Sequence, residues 1–130
     1  MPNRVETAAL SEGDQTWLAS TRGLDKNPQG KLKLSTFTPT DGYIKSGTPV
    51  AKIGTGLNEE LVKYVPGASD GTQILAGFLR NDVIVVAGST DVYANVAFID
   101  HGRIRIGRLP VAFVVPAKAN DNGLFTYVTN

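Results

Sequence analysis

Residues 43–53 read Tyr-Ile-Lys-Ser-Gly-Thr-Pro-Val-Ala-Lys-Ile, and residues 64–79 read Tyr-Val-Pro-Gly-Ala-Ser-Asp-Gly-Thr-Gln-Ile-Leu-Ala-Gly-Phe-Leu. In both blocks Gly and Pro set sharp turns and a short apolar run follows. Such punctuation works against a long helix, because Pro lacks the N–H a helix interior needs and Gly costs backbone entropy there. With 14 Gly and 7 Pro in 130 residues, the chain is expected to turn often and to hold little long helix. Neither block carries a reactive group. Their chemistry is backbone chemistry, and a small β-rich protein of this kind works through its surfaces.

The length fits one domain. Hydrophobic residues are 42% of the chain and charged residues 19%, a globular composition able to bury a modest core. Thirteen basic residues face twelve acidic ones, so no general attraction to nucleic acid or to an anionic membrane is expected. There is no cysteine, which removes disulfides and thiolate metal sites and is compatible with a reducing cytosol. The start of the chain, Met1-Pro2-Asn3-Arg4-Val5-Glu6, has no apolar run behind it, so no secretory signal is expected. The apolar runs at 83–87 and 111–115 are too short to span a bilayer.

Residues 1–33 differ from the rest. They hold one aromatic residue, Trp17, among mixed charges, and 25–30 (Asp-Lys-Asn-Pro-Gln-Gly) has loop composition. Ser11-Glu12-Gly13-Asp14 is a capping signal for a short helix carrying Trp17 and Leu18. The reading is a flexible, mostly extended N-terminal arm over 1–33 and a β-rich domain over 34–130. From Leu32 the pattern changes: Leu32, Leu34 and Thr36 alternate with Lys33, Ser35 and Phe37 as a strand would. Residues 43–53 form a hairpin-like unit turning at Ser46-Gly47. Residues 54–60 are a loop, 61–65 a strand ended by Pro66-Gly67, and Asp70-Gly71 a further turn. Residues 72–79 are apolar on both faces, which marks a central strand, and Gly77 within it marks a close backbone approach. After Asn81-Asp82 comes a strand at 83–86. Strands at 92–99 and 103–106 flank Asp100-His101-Gly102, a three-residue hairpin connection ending in Gly. Further strands are expected at 111–115 and 124–128, with a polar helical turn between them. The fold class is mainly β, a β-rich α+β chain with little helix, built as a small barrel-like or sandwich-like body with an extended N-terminal arm.

No catalytic constellation emerges. His101 is the single histidine and sits at a predicted turn beside Asp100; catalysis or metal binding would need partners the sequence does not display. Asp82, Asp91, Asp100 and Asp121 lie at predicted turns, where Asp bonds local N–H groups. A carboxylate-pair hydrolase would need two of them to converge through folding. Gly54-Thr55-Gly56 lacks the Gly-Lys-Ser/Thr of a phosphate loop and reads as a connection. Residues 43–53 also show a faint likeness to the turn of lipoyl and biotinyl carriers, but Lys45 precedes Ser46-Gly47 and the carrier motif is missing. Arg103, Arg105 and Arg108 form a basic run with Ile104 and Ile106 on the opposite face. A solvated edge strand is its first reading and a protein-contact face its second. Tyr43, Tyr64 and Tyr93 are the aromatic residues a carbohydrate- or host-binding module would use. Trp17 either packs with Leu18 onto the domain or anchors to a partner.

Taken in order, the blocks form a set: Trp17-Leu18-Ala19-Ser20, Ser35-Thr36-Phe37-Thr38, Gly42-Tyr43-Ile44-Lys45-Ser46-Gly47-Thr48-Pro49-Val50, Tyr64-Val65-Pro66, Asp70-Gly71-Thr72-Gln73, Ala76-Gly77-Phe78-Leu79, His101-Gly102 and Leu109-Pro110. From about Trp17 to the C-terminus this order resembles the head-decoration (capsid cement) proteins of long-tailed bacteriophages. The likeness is to the lambda-type superfamily, and within it to the branch found in phages of actinobacteria. The resemblance implies a non-enzymatic homotrimer on local threefold positions of the expanded head. It would sit on the virion exterior after synthesis in the host cytoplasm, with the major capsid protein as partner and no cofactor, metal, nucleic acid or membrane. It further implies that arm residues Trp17, Leu18, Arg22, Leu24, Leu32 and Leu34 contact the capsid, with Arg103, Arg105 and Arg108 as a second protein-contact face.

Overall fold

The computed structural model describes residues 16–19, 28–39, 42–86, 88, 90–117, 120 and 123–129. Among the described residues nine strands follow one another: β1 (Gln29–Lys33), β2 (Tyr43–Ile44), β3 (Pro49–Ile53), β4 (Glu60–Lys63), β5 (Leu75–Leu79), β6 (Val83–Ile84), β7 (Tyr93–Ile99), β8 (Gly102–Arg105) and β9 (Phe125–Val128). Short 3₁₀ turns at Leu34–Thr36, Gly56–Asn58 and Ile106–Arg108 punctuate them. The protein is mainly β. Among the described residues no helix is long and apolar enough to cross a membrane.

Five strands close into a barrel in the order β1-β4-β3-β5-β7. Only β1 and β4 run parallel within it; the other pairings are antiparallel. Closure removes both free edges from every member strand, which settles where the remaining strands pair. The hairpin expected within 43–53 does not form, because β3 is already flanked by β4 and β5; β2 pairs with β6 instead. The hairpin expected across Asp100-His101-Gly102 fails for the same reason. β7 is occupied by β1 and β5, so β8 turns away and pairs in parallel with β9. Gly102 permits that departure with φ of 129°, a backbone angle that side chains resist.

One apolar cluster draws on all five barrel strands and so fills the interior: Leu32, Leu61, Val50, Leu79, Val96 and Phe98, with Ile44 of β2 against it. A second cluster lies outside the barrel wall. It joins Leu75, Phe78 and Ile99 to Trp17, Leu18, Tyr64 and Ile104, with Phe113, Phe125 and Tyr127 packed on it. Strand β5 feeds both clusters, since adjacent Phe78 and Leu79 face opposite sides, and a bulge alters which side Leu75 joins. Val50 pairs with Gly77 but Ala51 pairs with Leu75, leaving Ala76 as the extra residue. The simple alternation expected over 72–79 is therefore broken, and Leu75 shares a face with Phe78 rather than with Leu79. The central position expected for this strand holds, since β3 and β7 flank it. At Gly77 a Cβ would lie 2.3 Å from the Ile99 carbonyl oxygen, so only glycine lets β5 and β7 approach as they do.

Three further expectations are corrected. The arm boundary at residue 33 is too late: residues 29–33 are barrel strand β1, paired along its length with β7. The strand expected over 32–37 ends at Lys33 and gives way to a 3₁₀ turn. Residues 111–115 are not a strand; they run irregularly, held by side chains, with the Phe113 ring against Tyr64 and Phe78 and the Val114 carbonyl accepting from Tyr64 Oη at 3.3 Å. The capping signal at 11–14 and most of the polar segment before β9 lie outside the described residues, although Asn120 N–H bonds the Ala117 carbonyl at 2.8 Å as a turn would.

Candidate functional site

Three of the residues expected to contact a partner are buried: Trp17, Leu18 and Leu32. Trp17 is fully buried and Leu18 is 8% exposed. Leu18 bridges Ile104, and the two flanking backbone bonds, Ala19 N–H to the Arg103 carbonyl (2.9 Å) and Arg105 N–H to the Trp17 carbonyl (2.7 Å), extend that contact. Residues 17–19 thus lie along the free side of β8, and packing is the role the structure gives Trp17 rather than docking into a partner. Leu32 is fully buried in the barrel and Leu34 is half-buried against it. Arg22 and Leu24 lie outside the described residues.

A polar knot fixes Trp17 in place. Its indole N–H donates to Ser46 Oγ at 3.1 Å, Ser46 Oγ–H donates to the Arg80 carbonyl at 2.8 Å, and Ser46 N–H donates to the Asp82 carboxylate at 2.7 Å. A buried indole N–H needs such an acceptor. Ser46 supplies it from the turn between β2 and β3, next to Gly47, whose φ is 92°. A Cβ on Gly47 would meet Trp17 Nε1 at 2.8 Å and Pro110 Cδ at 2.9 Å. The Ser46-Gly47 turn is thus the seat of the tryptophan. The sequence pointed to a turn there, but not to its partner 29 residues away.

Beside this knot opens a cleft of about 380 Å³. Phe37, Tyr43, Ile44, Thr48, Pro49, Tyr64 and Pro66 line it together with Pro110, Val111, Ala112 and Val114. Two ammonium side chains, Lys45 and Lys63, are its charged groups, and none of the described lining residues is acidic. The Lys45 ammonium lies 5.3 Å from the Tyr43 ring centre. Thr36 ties the rim together: its hydroxyl donates to the Lys33 carbonyl (2.9 Å) and accepts from Lys63 N–H (3.2 Å). An apolar concavity with a few polar groups at its mouth is the usual form of a binding site. Lys63 and residues 111–114 carry no motif that points to a cleft, which is why sequence reasoning missed their part in it.

The remaining candidates have local roles. His101 Nδ1 and Asp100 Oδ1 are 2.8 Å apart, both partly exposed. Asp82 serves Ser46. Asp70 accepts the Thr72 hydroxyl (2.7 Å) and N–H (3.1 Å), and these bonds, the hydroxyl first, hold its carboxyl below the ordinary range. Asp91 is exposed, and Asp121 lies outside the described residues. Among the described residues no cluster of three or more His, Asp or Glu could hold a metal. Gly54 has φ of 85°, and a Cβ there would lie 2.3 Å from the Asn58 carbonyl oxygen, so it is a tight corner rather than a phosphate cradle. Of the three tyrosines a carbohydrate- or host-binding module would use, Tyr64 is 5% exposed and Tyr43 half-buried. Tyr93 is open, with the Lys31 ammonium 4.6 Å from its ring centre and its hydroxyl donating to Glu60, a bond that raises the phenol above its ordinary value.

Arg103 and Arg108 are exposed while Ile104 is fully buried, the alternation expected of this run. β8 is not an edge strand, however, because β9 flanks one side and residues 17–19 the other. Arg105 also bonds the Thr16 carbonyl at 3.0 Å. The three guanidiniums are thus carried on a two-sided outer layer whose partners are the two ends of the described chain. No family model, no curated protein and no solved structure matches this chain.

Proposed function

We propose that the protein is a structural component of a phage virion, a homotrimer that binds the outside of the expanded head at local threefold positions and stabilises the shell against internal DNA pressure. Its partner in this reading is the major capsid protein, and no reaction is catalysed. The observation that carries the reading is the ordered set of motifs from Trp17 to Pro110. With Trp17, Leu18 and Leu32 buried, the shell contacts fall to residues 1–15, to Arg103 and Arg108, and to exposed apolar groups such as Leu57, 97% exposed at the tip between β3 and β4. A fifteen-residue leader spans about 50 Å when extended, at about 3.3 Å per residue, and could add a strand to a sheet edge on the shell. Three leaders on one trimer raise the effective concentration of the second and third contacts to roughly the mM scale. A ligand that binds only the assembled shell shifts the equilibrium toward assembly.

The test is a solution mass measurement joined to co-sedimentation with empty expanded heads. A trimer that pellets with heads supports the reading; a monomer at high concentration that ignores them ends it. The apolar cleft with Tyr43 on its wall favours a second reading, a small binding module for carbohydrate or a host surface. Glycan binding by a monomer, without head attachment, would select that reading.

A further inference from the structure

The geometry points to a docking edge for an extended acidic peptide of another protein, formed by residues 111–115 where they line the cleft. This goes beyond the virion reading and does not rest on it. Residues 111–115 read Val-Ala-Phe-Val-Val between Pro110 and Pro116, the composition of a strand bounded by the residue that sheets confine to their edges. They have no ladder. Among the described residues none of the N–H groups of 111–115 meets an acceptor, and Val114 alone has an engaged carbonyl, bonded by Tyr64 Oη at 3.3 Å. Ala112 and Val114 line the cleft while Phe113 between them packs on the aromatic layer, the two-residue alternation of an extended chain. The Phe113 ring centre lies 5.8 Å from that of Tyr64 and 5.4 Å from that of Phe78, so the edge is held in place before anything binds.

Exposure and charge indicate what covers it. Val111, Val114 and Val115 are 45%, 63% and 45% exposed, branched apolar groups beside open backbone donors. Strand addition uses such an edge: main-chain bonds supply affinity, and neighbouring pockets select side chains. Lys45 and Lys63 line the same cleft, and its described lining holds no carboxylate. Residues 110–116 carry no charge, so a second copy of this segment laid along the first would leave both ammoniums unmatched. A segment bearing apolar side chains and carboxylates matches both features, the apolar groups against Tyr43 and Val114 and the carboxylates toward Lys45 and Lys63.

The test uses the full chain and a synthetic peptide, acetyl-Val-Glu-Val-Glu-Val-amide. Its addition should shift the amide signals of Lys45, Lys63 and Val114 saturably and slow hydrogen exchange at 111–115, which should be fast in the free protein. The counterpart with Lys in place of Glu should bind about tenfold more weakly or worse, and N-methylating the backbone of the acidic peptide should remove the slowed exchange. Replacing Lys45 and Lys63 together by Glu should reverse the preference between the two peptides and leave hydrogen-exchange protection of the barrel unchanged, since both side chains are exposed. No saturable shift at roughly mM peptide, equal binding of the acidic and basic peptides, or binding that leaves exchange at 111–115 fast overturns the inference. Slow exchange at 111–115 that grows with protein concentration alone means that a second copy covers the edge, and the assignment to another protein is wrong. All of these readouts use the isolated protein, so a failure of head binding leaves them intact.

Discussion

The two apolar clusters of this molecule are built on different principles. The barrel interior is mainly aliphatic, with Leu32, Leu61, Val50, Leu79 and Val96 contributed one or two per strand by segments that alternate in sequence. The outer layer is aromatic. Phe78 stands at its centre, with ring-centre separations of 5.7 Å to Trp17, 5.4 Å to Phe113 and 5.2 Å to Phe125, the last edge-on. Its members come from a turn, an irregular segment and the final strand. The barrel is therefore stabilised by pattern and hydrogen-bonded closure, and the outer layer by a few large rings brought together over long sequence distances. Aromatic pairs add about 0.5–1.5 kcal/mol each beyond their buried area, so a small number of contacts suffices for the second design where the first needs many.

Removing Trp17 should separate the two layers most sharply. Trp17→Ala is expected to cost about 3–5 kcal/mol and to strip hydrogen-exchange protection from the β8–β9 pair while barrel amides retain theirs. Leu79→Ala, at about 2–5 kcal/mol, should lower protection in both layers, because β5 walls both. Equal loss everywhere in the Trp17 variant would mean the layers unfold as one. Next in size is Gly77→Ala. Its methyl group would press on the Ile99 backbone, and forcing β5 from β7 should cost about 1–3 kcal/mol or more. Gly30→Ala would meet side chains rather than backbone, Leu61 at 2.7 Å and Phe98 at 3.5 Å from the new Cβ, and should cost less; denaturant midpoints of the two variants check the order.

Ser46→Ala tests the link between layers. It leaves the Trp17 indole N–H and the Arg80 carbonyl without the hydroxyl, and is expected to cost about 1–3 kcal/mol with a shifted tryptophan emission. An unchanged midpoint would show that water replaces the serine. The smallest effect concerns the barrel surface. The bond to Glu60 raises the Tyr93 phenol above its ordinary value of 10.0. A raised value in the folded state means that this bond contributes fully below pH 10 and is lost as pH rises through the raised value. Ultraviolet titration should show one late-titrating tyrosine, returned toward the ordinary range by Glu60→Gln.

This contrast also explains what the sequence could disclose. Strands β3, β4, β5, β7 and β9 were legible because their apolar runs sit between turn residues, and Gly77 was legible as a close approach because glycine inside an apolar strand has few other reasons to be there. β1 was only partly legible, since Gln29-Gly30 has the composition of the loop before it. The partners of β2 and β8 were not legible at all: local turns suggested hairpins, and only the closed ring, a property of five strands together, denies them an edge. Residues 111–115 are rich in Val and read as a strand, yet their anchor is a phenylalanine ring and one tyrosine hydroxyl rather than a ladder. Of the cleft, the Tyr43 and Ser46-Gly47 side was visible as a motif. Lys63 and residues 111–114 arrive from elsewhere in the chain, and nothing in their local sequence marks them as cleft lining.

The parallel partnership of β8 with β9, completed on its other flank by residues 17–19, carries a consequence for the order of assembly. Everything the barrel needs lies between positions 28 and 99, whereas the aromatic coat joins material made early to material made last, a long loop closure that slows its formation. Nascent chains arrested short of Phe125 should accordingly yield a protease-resistant ring with a labile front end, and only the emergence of the final strand should fasten it.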